Sequence, residues 1–344
     1  MNRADKAVIR LALGLGLAVL IAYGFALSMP FVVCLMSVLV LCKPGPPLPL
    51  AKGLIVAILF AVLVAGGVVM VPLLENYAMS GILLTWAILY GVFVLGLVSG
   101  NPLTIVLVIS FALIPVAGVA DQAIVGMLSM TLAIGILIGT LVSSVSHALF
   151  PDPPTLAADR PAPAVSHDAA RWIALRATLI VMPVFVLALI NPSFYLAAIM
   201  KTVTLSQQAG VVNARSAGSE LVGSTLMGAL IAAIVWLGLS LHPNLWMLTL
   251  WMMGAALWAG SGIFGTRPTS FRPSFWSNAL ITMLILLGPA IEDSASGKGV
   301  FEASAVRTAL FVAVALYAWG TVWILERWRD SRRDGMITNT IAGE

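Results

Sequence analysis

Long uninterrupted apolar runs constrain this chain more than any other feature of its sequence. One of them, ILFAVLVAGGVVMVPLL, covers residues 58–74 without a charged side chain. Only 9% of all residues are charged, whereas a typical soluble domain has about 25%. An outer-membrane barrel would alternate apolar and polar residues in strands of about ten residues, and these runs do not alternate. The sequence therefore predicts a polytopic α-helical membrane protein.

A helix that crosses a bilayer needs about 20 predominantly apolar residues. On that rule we expect an all-α fold with about twelve transmembrane helices. The second helix of each half is short and follows a proline, Pro30 or Pro192, so it is a candidate for a tilted, broken or re-entrant segment. The predicted ranges are 8–28, 30–42, 52–74, 81–99, 102–120 and 122–149 in the first half, and 172–190, 193–209, 219–241, 244–262, 275–291 and 303–326 in the second.

The distribution of basic residues predicts the orientation of these helices. Cytoplasmic loops of membrane proteins carry an excess of Lys and Arg. With twelve spans and both termini in the cytoplasm, all basic residues except Lys298 and Arg307 fall on the inner side. The sequence pI of about 9.3 is therefore interpreted as a consequence of topology, and no nucleic-acid partner is expected. The apolar run that begins at Leu11 is interpreted as an uncleaved first helix in a bacterial inner membrane.

The two halves of the chain resemble a duplication. A basic start, an apolar helix, a proline, the pair Phe31/Phe194 and a short helix recur in the same order. Because six is an even number, both halves would enter the membrane from the same side as parallel repeats, which bind substrate between them in known transporters. The predicted division is a first repeat (1–150), a cytoplasmic linker rich in Pro and Ala (151–170), a second repeat (171–328) and a disordered cytoplasmic tail (329–344).

Lys201 is the strongest candidate for a functional residue. It lies about nine residues into the short helix after Pro192, or roughly 13 Å along it. A lysine at the centre of a membrane costs about 2.5–3.5 kcal/mol and usually faces a bundle interior or an aqueous cavity. Lys201 is expected to attract an anionic substrate or to take part in proton coupling in a cavity between the repeats. The alternative is that its amine reaches the cytoplasmic interface along an apolar stem.

Polar residues that follow Lys201 complete the candidate site. Gln207, Gln208 and Asn213 are expected to hydrogen-bond a carboxylate or to line a pore, although all three also suit an ordinary loop. Arg215 and Glu220 flank the start of the next helix as a candidate gate or proton-coupling pair. Their alternative role is as helix-end charges, because acidic groups are favoured near helix N-termini.

Asp121 is a candidate for proton entry on the outer side, with helix capping as the alternative. The three histidines are scattered, and no spacing typical of a metal site or of a nucleophile with its base is present. We therefore expect neither an enzyme nor a metal or other cofactor.

The Pro–Phe pair, the short helix and the stretch ELVGSTLMGAL (220–230) resemble the fusaric acid resistance and aromatic acid exporter family. In that family a stretch of the form Arg-x-x-Gly-Thr-x-x-Gly follows the short helix of each half. Here Gly223, Ser224–Thr225 and Gly228 approximate it, and Glu220 replaces the arginine. The first half has only Lys52-Gly53 at this point. The family's large cytoplasmic domain is missing, since only the linker at 151–170 stands between the halves.

The resemblance implies an inner-membrane secondary exporter of small organic, often aromatic, carboxylic acids. It also implies energy from the proton gradient, and partnership with a periplasmic adaptor (a membrane fusion protein) that reaches an outer-membrane channel. Two alternatives stay open: a passive anion channel of the same architecture, and a non-transporting assembly subunit of an envelope export complex. The sequence leaves open whether the chain forms a homo-oligomer.

Overall fold

The computed structural model describes residues 2–42, 47, 49–99, 103–152, 166–211, 214–297 and 299–342. Within these ranges every regular element is a helix, and no strand occurs. The helices are α1 (Arg3–Gly24), α2 (Pro30–Leu41), α3 (Leu50–Val68), α4 (Met70–Asn76), α5 (Ala78–Ser99), α6 (Leu103–Ala120), α7 (Gln122–Leu149), α8 (His167–Ile190), α9 (Pro192–Val211), α10 (Ala214–Ala217), a π-helical turn (Gly218–Val222), α11 (Gly223–Leu241), α12 (Leu245–Ile263), α13 (Pro273–Ala295) and α14 (Val300–Ala342).

The predicted polytopic helical fold is confirmed at the level of the helices. In the part of the chain that is described, nine helices are long and apolar enough to cross a membrane, and α2 and residues 107–120 form shorter apolar helices. α9 is not one of the nine, although its 20 residues exceed the predicted length. The full count of twelve spans therefore stays a prediction.

The outer surface of the helix bundle is apolar, as a bilayer requires. Large apolar side chains are exposed on several helices, among them Ile55 on α3, Leu83 on α5, Leu230 on α11 and Ile324 on α14. Contiguous exposed apolar surface of this kind marks a membrane or protein contact. The fold is therefore that of a multi-pass membrane protein.

The third predicted helix (52–74) is interrupted in the structure. α3 ends at Val68, and α4 begins at Met70 and contains Pro72. Proline has no backbone N–H, and its ring clashes with the carbonyl four residues earlier, which here belongs to Val68. The interruption therefore lies where Pro72 prevents a regular helical hydrogen bond.

α2 and α13 form the centre of the bundle. Nine of the 12 residues of α2 are buried, and α13 is buried along most of its length. Gly135 and Gly139 let α7 approach α2 closely, because a Cβ at Gly139 would lie 3.0 Å from the Cα of Ser37. Gly135 and Gly139 thus form a Gly-x-x-x-Gly pattern that serves close helix packing.

Many helix contacts of the first half have a counterpart in the second half. In the first half α1 packs on α2 and α7, α2 packs on α7, α3 packs on α6 and α7, and α6 packs on α5 and α7. In the second half α8 packs on α9 and α14, α9 packs on α14, α11 packs on α13 and α14, and α13 packs on α12 and α14. Contacts between the halves also come in matching pairs: α1 with α12 and α8 with α5, then α2 with α13 and α9 with α6.

Two segments between and after the spans differ from simple loops. α8 begins at His167, so the last residues of the predicted linker are helical, while residues 153–165 lie outside the described residues. α14 continues as one helix to Ala342, whereas the sequence predicts disorder from residue 329. Arg and similar straight-chain residues are good helix formers, so an existing helix extends readily through Arg329, Arg332 and Arg333.

The contact between α2 and α13 is tested at Gly288. A Cβ at this position would lie 2.2 Å from Cγ of Phe31, so Gly288→Ala forces an aromatic ring of the other half to move. Overpacking of this kind costs about 1–3 kcal/mol. We expect a lower midpoint of thermal unfolding in detergent.

Gly254→Ala on α12 is the matched control, because a Cβ there would meet nothing within 4 Å. Alanine is also the better helix former, so this variant should unfold no earlier than the wild type. Equal midpoints for the two variants would contradict the packing of α2 against α13.

Candidate functional site

Lys201 lies fully buried at the middle of α9. Its exposed fraction is 0%, and about 13 Å of helix separates it from Pro192. The side-chain nitrogen Nζ donates to Oγ1 of Thr282 at 2.6 Å and to Oδ1 of Asn278 at 3.2 Å. Both acceptors belong to α13. The amine therefore reaches neither lipid nor the interface, and the alternative in which its stem extends to the membrane surface does not hold in this structure.

A short chain of hydrogen bonds continues from Lys201 to α11. Nδ2 of Asn278 donates to Oγ of Ser224 at 2.6 Å, and Ser224 donates to the carbonyl of Leu221 at 3.3 Å. The hydroxyl of Thr282 donates to the carbonyl of Asn278 at 2.6 Å. Because the hydroxyl of Thr282 donates its proton to a carbonyl, its oxygen can accept a hydrogen bond from Lys201. We call Lys201, Asn278, Thr282 and Ser224 the lysine cluster.

The lysine cluster is built from neutral partners. Among the described residues, no carboxylate oxygen lies within 4.0 Å of Nζ. A neutral amine has two N–H donors, and Asn278 and Thr282 provide two acceptors. A lysine ammonium has three donors, so protonation adds one donor beyond those two acceptors. Burying a charge without a counter-ion is costly, and an anion that entered this position would relieve that cost.

The lysine cluster lies inside the second half, since α9, α11 and α13 all belong to it. A separate cavity of about 30 Å³ lies at the junction of the halves, and it is lined by residues of α2, α6, α7 and α9. Met200, Thr204 and Gln207 line that cavity on the side of α9, and Lys201 is not among its lining residues. The structure thus brings Gln207, but not Lys201, to the space between the halves.

Gln208 and Glu220 meet at the end of α9. Nε2 of Gln208 donates to the backbone carbonyl of Glu220 at 3.2 Å. The buried carboxylate of Glu220 accepts from the backbone N–H of Arg272 at 3.4 Å, which is the N-cap residue of α13. The positive end of a helix dipole stabilises such a carboxylate. Glu220 also lies in the π-helical turn, and turns of this kind often mark functional sites.

The remaining predicted residues are less informative. Asp121 is exposed and caps α7 by accepting from the N–H of Ala123 at 2.8 Å, which is the capping role that the sequence offered as an alternative. Asn213 lies outside the described residues, and the side chain of Arg215 does as well. The proposed pairing of Arg215 with Glu220 therefore stays a prediction.

Sequence reasoning missed a buried ion pair that joins the first and last helices of the second half. Arg176 on α8 binds Oε1 of Glu326 on α14 at 2.7 Å and also donates to the carbonyl of Ala209 on α9. Trp172 donates to the same Glu326 oxygen at 3.2 Å. One carboxylate and one guanidinium thus fix three helices together.

The first half has a similar contact. Arg10 on α1 is buried, and it binds Asp152 at 3.0 Å and the carbonyl of Phe150 at 3.3 Å, just after the end of α7. In each half, an arginine on the first helix meets an acid near the end of the sixth predicted helix. The sequence signal that could have revealed both ion pairs is a lone acid at the end of the last apolar run of each half.

Among the residues that the structure describes, no group of three or more His, Cys, Asp and Glu side chains is arranged to hold a metal ion. Comparisons of the chain with protein-family models, with curated proteins and with solved structures each find no match. The resemblance to the aromatic acid exporter family therefore stays a prediction.

The ion pair on α14 gives a test of the assembly of the second half. Glu326→Ala leaves the buried guanidinium of Arg176 without its carboxylate, which should cost about 1–3 kcal/mol. We expect a clearly lower midpoint of thermal unfolding in detergent.

The matched control is Glu302→Ala, which removes an exposed acid from the first turn of the same helix. Exposed charges at a helix start contribute about 0.3–1 kcal/mol, so this variant should unfold close to the wild type. If the two variants behave alike, the pair of Arg176 and Glu326 does not hold the helices together.

Proposed function

We propose that this protein is a secondary transporter that exports small organic acids across a bacterial inner membrane. The observation that carries the proposal is the buried amine of Lys201, which lies midway along α9 with neutral partners. A chain that needed only stable packing would place an apolar residue here, because a lysine at this depth costs several kcal/mol. Intramembrane ionisable residues usually mark a substrate or proton pathway.

The lysine cluster supports recognition of a carboxylate. The third N–H of a protonated Lys201 is available to an acceptor that arrives with the substrate. A hydrogen bond between an ammonium and a carboxylate is about twice as strong as a neutral one. Asn278 and Thr282 hold Nζ in place while that bond forms, so the amine needs little reorganisation.

The same geometry supports coupling to protons. When Lys201 is neutral, its two N–H donors match its two acceptors, and no charge is buried. A proton and a carboxylate that bind together produce an ammonium–carboxylate pair without adding net charge to the site. Anion binding and protonation are therefore linked at one amine. Export driven by an inward proton gradient requires that the anion be released to the periplasm and the proton to the cytoplasm.

The helix contacts support an arrangement of two repeats. If α1, α2, α3, α5, α6 and α7 correspond to α8, α9, α11, α12, α13 and α14, the contacts described above within and between the halves match. α9 packs on α6 of the first half and on α8, α13 and α14 of its own half. A rocking motion of one half against the other would therefore displace α9 and with it Lys201. Gln207 faces the cavity at the junction of the halves and would meet a substrate that enters there.

The buried carboxylate of Glu220 supports a role at the cytoplasmic mouth of this path. It precedes Ser224 by one turn, and Ser224 is part of the lysine cluster. We propose that Glu220, with Arg215 nearby in sequence, gates access to the lysine cluster. The aromatic character of the substrate, the periplasmic adaptor and the outer-membrane channel are proposed from the family resemblance alone.

The central test replaces Lys201 with a residue of similar size and no charge. Lys201→Met should lower the proton-driven flux of benzoate in proteoliposomes by about 10- to 100-fold. That range corresponds to about 1.5–3 kcal/mol for a hydrogen bond to a charged group. The readout is flux with an imposed pH gradient, normalised to the amount of protein in the liposomes.

Lys52→Met is the control, because it removes an exposed lysine from the start of α3. Normal flux through the Lys201 variant would refute the role of this amine. Flux that persists in the wild type without a proton gradient and is insensitive to an uncoupler would identify a passive anion channel. The absence of flux for all acids would favour an assembly subunit.

A second test gives Lys201 a permanent counter-ion. Asn278→Asp keeps the size of the side chain and places a carboxylate at hydrogen-bond distance from Nζ. The new ion pair should preserve thermal stability while it occupies the site of the substrate anion, so we expect benzoate flux to fall by at least about tenfold.

The matched control is Asn244→Asp. Asn244 caps α12 on the exposed surface, and aspartate is an equally good N-cap residue, so flux and stability should stay unchanged. An Asn278→Asp variant that transports benzoate normally would show that the anion does not bind at Lys201.

A further inference from the structure

A large apolar groove lies beside the lysine cluster. It has a volume of about 570 Å³ and runs between α11, α13 and α14. Its walls consist mostly of small or aliphatic side chains, including Ala232, Ala233, Leu286, Ala290, Ala305 and Ala309. The small side chains on all three helices leave the space between the helices unfilled, which forms a long furrow. Residues 300–309 of α14 line its length, which corresponds to roughly 13 Å.

The groove opens sideways on the apolar surface of the bundle. Phe301 and Leu237 stand at its edges, and 87% and 65% of their surfaces are exposed. In a membrane protein these side chains face lipid rather than water. A molecule in the surrounding bilayer therefore has direct access to the groove.

The inner end of the groove approaches Lys201. Leu286, which lines the groove, follows Thr282 by one helical turn. Ala229, which also lines it, follows Gly228, and Gly228 lies against Thr282 so closely that a Cβ there would be 2.5 Å from the Cβ of Thr282. Thr282 in turn accepts the 2.6 Å hydrogen bond from Nζ. Thr282 thus lies one helical turn from a residue that lines the groove and is hydrogen-bonded to the buried amine.

We propose that this groove binds the apolar chain of an amphipathic carboxylate, whose head group reaches Lys201 past Thr282. The inference rests on the proposed function and extends its substrate class to acids with a single extended acyl chain that enter from the lipid.

Charge complementarity favours a carboxylate over a neutral lipid chain. Lys201 lies beyond the lining of the groove, on the far side of Thr282, and its described partners are all neutral. Arg307, on the segment of α14 that lines the groove, is paired with Asp293 at 2.7 Å, so its charge is already balanced. An anionic head group is therefore drawn to the inner end, and the acyl chain then extends along Leu286 and Ala290 toward the opening.

A photoreactive dodecanoate with a diazirine near the end of its chain tests the proposal. The full-length protein in proteoliposomes is irradiated with the probe, and the labelled peptides are mapped by mass spectrometry. We expect labels on the groove segments of α11 and α14, and competition by dodecanoate but not by dodecanol. Ala305→Trp fills the groove and should reduce labelling by about tenfold or more.

Ala313→Trp is the matched control, because Ala313 is exposed on the same helix outside the groove. It should label like the wild type. Lys201→Met should remove the preference for dodecanoate over dodecanol. Equal competition by the two compounds, or labelling that Ala305→Trp does not reduce, would overturn the proposal and leave an ordinary lipid-filled groove.

Benzoate flux separates this proposal from the more general one. If Lys201→Met abolishes flux while dodecanoate neither labels the groove nor competes with benzoate, only the acyl-chain inference fails. If Lys201→Met transports benzoate normally, the proposed function fails, whatever the labelling shows.

Discussion

The hydrogen bonds that Lys201 makes to Asn278 and Thr282 are the interaction on which the second half of this protein depends. A bilayer interior offers no water to a polar group, so each one must find its partner within the protein. Here α13 supplies both acceptors, and α11 joins through Ser224. Three helices are thus tied together at mid-depth by one amine. Whatever changes the charge of that amine changes the balance of contacts among these helices, which is what the proposed transport cycle requires.

Two further polar contacts hold the cytoplasmic end of the same bundle, by the predicted orientation. Arg176 joins α8, α9 and α14 through Glu326 and Ala209, while Glu220 accepts at the N-terminus of α13. The last turns and the middle of α9 are therefore constrained differently: the last turns by charged groups, and the middle by neutral ones. In the proposed function, the lysine cluster is the place where a substrate would alter these constraints.

The sequence predicted the helices well because bilayer length and apolar character define them almost alone. It also singled out Lys201, since a charge within an apolar run is conspicuous. It could not identify Asn278 and Thr282 as partners, because they lie 77 and 81 residues away on an otherwise ordinary apolar helix. The packing of α9 against α13 decides that pairing, and a single sequence does not show which helices pack together. The same reason explains why Lys201 was expected between the halves rather than within one of them.

The difference between the halves separates what the fold requires from what a function requires. If the halves correspond through Phe31 and Phe194, the position of Lys201 is occupied in the first half by Val38, which is also fully buried. An apolar side chain therefore suffices to pack the second helix of a half at this depth. The lysine adds a desolvation cost and hydrogen bonds to α13 that a valine cannot make. Lys201 is therefore a costly residue at a position where the first half accepts Val38. The proposed chemistry, which only the second half would perform, explains it best.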